Sequence, residues 1–329
     1  MKKGFYMGYD AATANEGQLK RQARYLLDTG LFGAGYRVLR LGDIGRFEKI
    51  GALAASLRAL GFQLDVTVKG DVRPQQAAEM LETVGAGMVT LAPGENREGA
   101  MELAKALAGK ARIAVAVKDD MAWAAPLADV VDLDCIREDD DFFEITRNRL
   151  DSCRDGDTDA ARSAANLRAQ MMGEGGAWHA GNLPLRFDAF RNEAIFAQFC
   201  MLGCPLVLSG DIGTLPGATL SLLRNEALID LARRGQGRVA RYYDPWHVLL
   251  VKQAGEGSAF AMILNRCHGD QPTNLLPGDM GWEGRFSLRQ LPEYKLVGAN
   301  LEAFEAHLET SDHPETPCCG VYYAERIGG

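Results

Sequence analysis

The stretch CIREDDDFFEI, Cys135 to Ile145, sets four acids in a row directly after the apolar run ADVVDL. Like charges this close disfavour one another's ionisation, so such a pile of acids at a strand end is costly. One reading is an active site. A second reading stands beside the first. Acids also favour the first turn of a helix, where the dipole welcomes negative charge.

Other residues able to do chemistry recur at the ends of apolar runs. They are Tyr9-Asp10, Asp43, Lys69 to Asp71, Lys118-Asp119-Asp120, Asp134, Trp178 to Asn182, and Asp211. Carboxylates accept hydrogen bonds from paired hydroxyls, and an aromatic ring covers the apolar face of a sugar. The set therefore suits a polyhydroxylated ligand. Each residue taken singly can instead cap the helix that follows it. Lys69 and Lys118 would act as bases only if burial lowered their pKa, and are merely solvated otherwise.

The elements that must position these residues follow from periodicity. Eight apolar runs alternate with amphipathic stretches up to about residue 237: GFYMGY, YRVLRLGD, FQLDVTVKGD, GMVTLAPG, RIAVAVKDD, DVVDLDCI, GAWHAGNL and PLVLSGD. Between them EGQLKRQARYLLDTGL, RFEKIGALAASLRALG, PQQAAEMLETVGA and NREGAMELAKALAG repeat Leu, Ala and Met at three- and four-residue spacing. Strand–helix alternation predicts parallel strands, and eight units predict a (β/α)8 TIM barrel over residues 1–237. Barrel chemistry sits at the C-terminal ends of strands, where the polar residues fall. MAWAAPLA is short for a helix, and residues 142–176 must hold both a helix and a loop. From residue 238 to 329 short strands follow one another, which predicts a small antiparallel β-sandwich domain with a hairpin at Gly255-Glu256-Gly257.

Bulk properties narrow the partners. The chain has 329 residues, 47% hydrophobic and 24% charged, with net charge −8, an ordinary globular composition. That charge argues against nucleic acid or an anionic membrane, both of which attract a basic face. No run of ~18 apolar residues is present to span a membrane, and the start MKKGFYMGYD lacks a signal-peptide core. Seven cysteines without a paired CxxC pattern predict reduced thiols and a cytoplasmic setting. Cys318-Cys319 with His313 lacks the spacing of a standard metal site. No dinucleotide fingerprint or P-loop is present, so no cofactor and no metal are expected. Oligomerisation stays open.

Nearly the whole chain resembles the α-galactosidases of the melibiase type, glycoside hydrolase families 27 and 36. The resemblance rests on MGYDAATANEGQLKRQARYLLDTGLFGAGYRVLRLGD, on RFEKIGALAASLRALGFQLDV, and on GGAWHAGNLPL with the FRNEAIFAQFCMLGCPLVLSGDIGTLP segment after it. LSGDIGTLPGATLSLLRN is the most specific part, and AFAMILNR is similar to the family's C-terminal β domain. The resemblance implies a small carbohydrate ligand and a retaining mechanism with two carboxylates about 5–5.5 Å apart. It makes Asp141 the acid/base, with Asp140 beside it, Arg137 four residues earlier, and its pKa raised by the like charges of Asp139 and Asp140. Asp119 matches an acid that binds a ring hydroxyl, and Asp43 matches the second of two adjacent acids. Tyr9 stands where a tryptophan is usual. Lys69, Arg137, Trp178 and Asn182 join them as candidate ligand-binding residues.

Four acids of the pattern are missing. The fourth strand's K-x-D pattern reads Thr90 and Ala92, so the nucleophile position holds alanine. Gly42 replaces the first of the paired acids, and Ala180 and Asn182 replace two aspartates. An alanine cannot attack an anomeric carbon. A shifted register would make Asp134 the nucleophile, at the cost of an acid, Asp132, where a cation belongs. Three functional expectations remain: a glycosidase acting on α-galactosides or related α-glycosides, a sugar-binding relative without catalysis, and an unrelated barrel lyase or isomerase using Lys69 or Lys118.

Overall fold

The computed structural model describes residues 6–117, 130–133, 189–308 and 318–328, apart from positions 12, 13, 43, 45–48, 93, 95, 204, 205, 209, 235, 236, 245, 246, 266–271 and 292. The chain divides into two compact units.

The first unit holds a parallel sheet. Its strands are β1 (Met7–Ala11), β2 (Val38–Leu41), β3 (Gln63–Lys69), β4 (Met88–Ala92), β5 (Arg112–Val117), β6 (Val130–Leu133) and β7 (Leu206–Leu208). Their order is β6-β5-β4-β3-β2-β1-β7. β1 lies between β2 and β7, both parallel to it. The first and the eighth predicted runs are thus neighbours, as a (β/α)8 barrel requires. The seventh predicted run, 176–183, lies outside the described residues.

Helices α1 (Glu16–Asp28), α2 (Leu31–Ala34), α3 (Ile50–Ala59), α4 (Pro74–Val84) and α5 (Arg97–Leu107) connect the first five strands. Each of the longer ones buries one stripe, such as Leu19, Ala23 and Leu26 of α1. Their starts follow local chemistry. Asn15 forms a capping box with Gln18, Pro74 opens α4, and the Asn96 side chain accepts from Gly99 N. Gly85 ends α4 in the left-handed region, where glycine has no Cβ to strain.

The second unit contains α6 (Ala189–Leu202), α7 (Gly217–Leu223), α8 (Glu226–Arg233) and an antiparallel sheet. Its strands are β8 (Arg238–Asp244), β9 (His247–Gly255), β10 (Ser258–Asn265), β12 (Arg285–Leu291), β13 (Lys295–Leu301) and β15 (Cys318–Ile327), in the order β13-β12-β15-β10-β9-β8. β11 (Thr273–Leu275) and β14 (Phe304–Ala306) form a second small sheet. The predicted hairpin is present, with Gly255 paired to Ser258. Leu249, Val251, Ala261, Ile263, Phe286 and Leu288 of the large sheet pack with Leu275 and Ala306 of the small one. That is the core of a sandwich with one broad and one narrow layer.

The alternate residues of β9 face helices. Lys252 is 1% exposed, and its ammonium donates to Cys200 O at 2.9 Å and Leu231 O at 2.7 Å. Both carbonyls belong to last turns, of α6 and α8, where the dipole is negative, and each also accepts from a backbone N–H just beyond, Gly203 N at 3.1 Å and Arg234 N at 3.3 Å. One buried cation therefore ties two helix ends to the sheet.

Candidate functional site: the carboxyl end of the barrel strands

On the sheet's concave side the alternate residues of the strands meet. Tyr6, Val38, Met88, Ala114 and Val207 form its apolar floor. The next inward positions are charged. Asp10, Arg40 and Asp65 stand in register on β1, β2 and β3. Asp65 is fully buried, and its Oδ2 accepts from Tyr6 Oη at 2.7 Å, Thr90 Oγ1 at 2.7 Å and Arg40 Nε at 3.3 Å. The Arg40 guanidinium also lies over the Tyr6 ring, 5.6 Å from its centroid. Its Nη1 reaches toward Asp10 Oδ2 at 3.9 Å. Groups from β2, β4 and the residue before β1 thus fix one carboxylate on β3, and that carboxylate in turn holds Arg40. Charge-assisted bonds of this kind are the strong ones in a dry interior.

β4 reaches this network through Thr90, whose hydroxyl is spent on Asp65. Two residues on, Ala92 ends the strand on the same face, half-buried. Its register partner on β3 is Lys69, which is exposed. The backbone here is tied down. Gly70 N donates to Ala92 O at 3.1 Å, and Asn96 Nδ2 donates to Gly70 O at 3.0 Å. The end of β4 therefore presents a methyl group beside a solvated ammonium.

Tyr9 has the opposite parity to Asp10 on β1. It is 4% exposed, and its hydroxyl donates to Gly210 O. Burial first, then the nearby charges of Asp10 and Asp211, raise its pKa well above the usual phenol range. It stays a neutral donor at any ordinary pH. Asp211, after β7, is a cap: Oδ1 accepts from Gly213 N at 3.0 Å and from Gln22 Nε2 at 2.7 Å. Gln22 on α1 completes the corner by accepting from Ile212 N at 3.0 Å. For Asp211 the capping alternative is what the structure displays.

Asp43, Lys118, Asp119, Asp134, Arg137, Asp140, Asp141, Trp178 and Asn182 lie outside the described residues. Among the candidates it describes, the structure brings Lys69 and Ala92 together and turns Tyr9 to the other face. Sequence reasoning passed over Arg40 and Asp65. The available signal was parity: in VLRL and QLDV each charge sits among apolar residues inside a strand. Only a partner of opposite charge at the matching depth makes that tolerable.

No family model matches the chain, and the search of curated proteins gives no match. Solved structures do match. α-Galactosidase I of Mortierella vinacea superposes with a TM-score of 0.79 at 12% identity, covering 98% of this chain and 97% of that one. A family GH27 β-L-arabinopyranosidase of Geobacillus stearothermophilus, solved with arabinose, gives 0.78 at 14% identity over 99% and 98% of the two chains. The Saccharomyces cerevisiae α-galactosidase with raffinose gives 0.75 at 12% identity, over 99% and 98%. The chain therefore has the fold of the α-galactosidases and their family GH27 neighbours, barrel and C-terminal β domain together.

Proposed function

We propose that this chain is a glycosidase acting on α-galactosides or related α-glycosides, with Asp141 as its acid/base and no carboxylate at the end of β4. The observation that carries the reading is the superposition of the whole chain on enzymes of that activity, at 97–98% of their own length for the fungal α-galactosidases. A barrel of this kind places chemistry at the carboxyl ends of its strands. The described end carries Asp10 and Lys69, and the sequence adds Asp119, Asp140, Asp141 and Trp178 to the same ends. Asp141 would donate its proton to the leaving oxygen as the glycosidic bond breaks. Water, deprotonated by a carboxylate, would supply the hydroxyl to the anomeric carbon, giving inversion.

A second reading has its own observation. Ala92 ends β4 as a methyl group on the inward face, which favours a sugar-binding protein without turnover. Of the two lysines that a lyase or isomerase reading needs, Lys69 is exposed and Lys118 lies outside the described residues.

Hydrolysis of two α-galactosides separates the first two readings. One carries 4-nitrophenolate, which leaves unaided, and the other a methoxide, which needs a proton. Asp141→Asn is expected to slow the methyl substrate by about 10²–10⁴-fold and the nitrophenyl one much less, as loss of a general acid requires. Equal loss on both would remove Asp141 from the acid role. Sugar binding without turnover would establish the second reading.

A further inference from the structure

We propose that the outer face of the large β-sheet is a homodimer interface, in which Arg289 of each copy pairs with the partner's Glu325 around a two-fold axis. The inference goes beyond the glycosidase reading and does not depend on it. Phe286 and Leu288 of β12, with Tyr322 and Ala324 of β15, point into the sandwich core. By strand alternation Ser287, Arg289, Tyr323, Glu325 and Ile327 face outward. Over part of this outer face α6 packs against β10 and β15, and the outward Phe260 and Val321 are buried there. Toward β13 the cover ends. Leu296, the register partner of Arg289, is 52% exposed. Six large hydrophobic side chains are exposed among the described residues, and four of them gather here: Tyr294, Leu296, Val297 and Ile327. Single exposed apolar residues are ordinary, but a cluster at one end of one sheet marks a contact surface.

The face, rather than the edge, is built for contact. The β12–β13 register shifts twice, and Asn300 has a φ of 59°, so β13 is bulged in the way that keeps other strands off an edge. Tyr294, just before β13, holds a φ of 55°, which is costly for a bulky side chain. In that conformation its ring meets Tyr323 edge-on, with centroids 5.9 Å apart. Tyr323 in turn lies 5.2 Å from Phe260. An aromatic row thus runs from the buried part of the face to the exposed part.

Charge identifies the occupant. Ser287 stands opposite Glu325 and Arg289 opposite Tyr323, so these four outward side chains form a square with Arg289 and Glu325 on one diagonal. Neither charge has an ion-pair partner among the described residues. Arg289 Nη1 reaches Tyr294 O at 3.5 Å, and Glu325 accepts from Tyr323 Oη at 3.3 Å. A two-fold axis lying in the face along the other diagonal, Ser287 to Tyr323, exchanges the positions of Arg289 and Glu325. A second copy laid on the face then sets each arginine against a glutamate and one Tyr323 ring against the other. Such self-complementarity is what an isologous interface requires. One cation balanced by one anion suits a copy of the same face better than a partner of single charge sign.

The test is sedimentation velocity of the full chain from about 1 to 100 μM, where mass action displays a dimer. The wild type is measured beside Arg289→Glu, Glu325→Arg, the double variant Arg289→Glu/Glu325→Arg, and Leu296→Ser. All three positions are exposed, and circular dichroism checks each fold. The wild type is expected to dimerise. Each single reversal sets like charges together at both symmetric contacts, and should weaken the dimer by about tenfold or more. Leu296→Ser should weaken it too. An equimolar mixture of the two single variants should recover the dimer, because opposite charges then face each other at both contacts. The double variant should recover it alone. A wild type that stays monomeric throughout overturns the proposal. So does a dimer indifferent to both reversals, which must use another surface. A mixture that stays monomeric rejects the two-fold pairing of Arg289 with Glu325.

Discussion

Single residues here divide between holding the barrel and facing its mouth. Tyr9 belongs with the first, since its hydroxyl is committed to Gly210 O on the other side of β1 from Asp10. Tyr9→Phe should therefore cost about 0.5–1.5 kcal/mol in urea denaturation while sugar affinity stays unchanged. A loss of affinity with unchanged stability would return Tyr9 to the ligand. Glu193 on α6 offers a pH test. Burial, then the charge of Glu293, raises its pKa. The folded state thus binds a proton more tightly than the unfolded one, so this group's contribution is full in acid and is lost as pH rises through its folded pKa. Glu193→Gln should accordingly stabilise the protein at neutral pH, with the gain vanishing below the ordinary carboxylate range. Parallel stability–pH curves for the two proteins would refute this. Neither residue's role could be read from sequence. Tyr9 precedes a charged strand end, which looks like a site, and Glu193 sits in a helix whose packing the sequence does not show.

At the scale of elements the sequence was more legible. β2 to β5 appear within their predicted runs and β1 overlaps its run but continues two residues past it, to Ala11, because buried parallel strands read as short, nearly continuous apolar segments. The caps at Asn15, Pro74 and Asn96 mark helix starts by side-chain chemistry that sequence displays directly. The inward charges escaped notice because strand parity assigns a face only once the register is known. Lys252 escaped for a related reason. A lysine in a strand reads as solvated, yet this one closes the last turns of α6 and α8. Lys252→Ala should cost about 2–5 kcal/mol, since two buried, charge-assisted hydrogen bonds are lost and the carbonyls keep only their backbone donors. A shift of the urea midpoint equivalent to less than about 0.5 kcal/mol would show that the backbone donors Gly203 N and Arg234 N suffice.

For the whole molecule, the fold and the chemistry are separable facts. The chain keeps the two-part architecture of the α-galactosidases at 12–14% identity to the fungal and Geobacillus enzymes. What the chains share at that identity is the fold of barrel and sandwich. It does not by itself preserve a nucleophile, and β4 ends in Ala92. The most direct test of the proposed activity is turnover of 4-nitrophenyl α-galactoside with and without added azide or formate. An anion small enough to stand beside Ala92 attacks the anomeric carbon as 4-nitrophenolate departs, which replaces the missing carboxylate. The account predicts slow hydrolysis that the anion accelerates, with β-galactosyl azide as the product in azide. No turnover with either anion, in a protein that binds galactose, would contradict it.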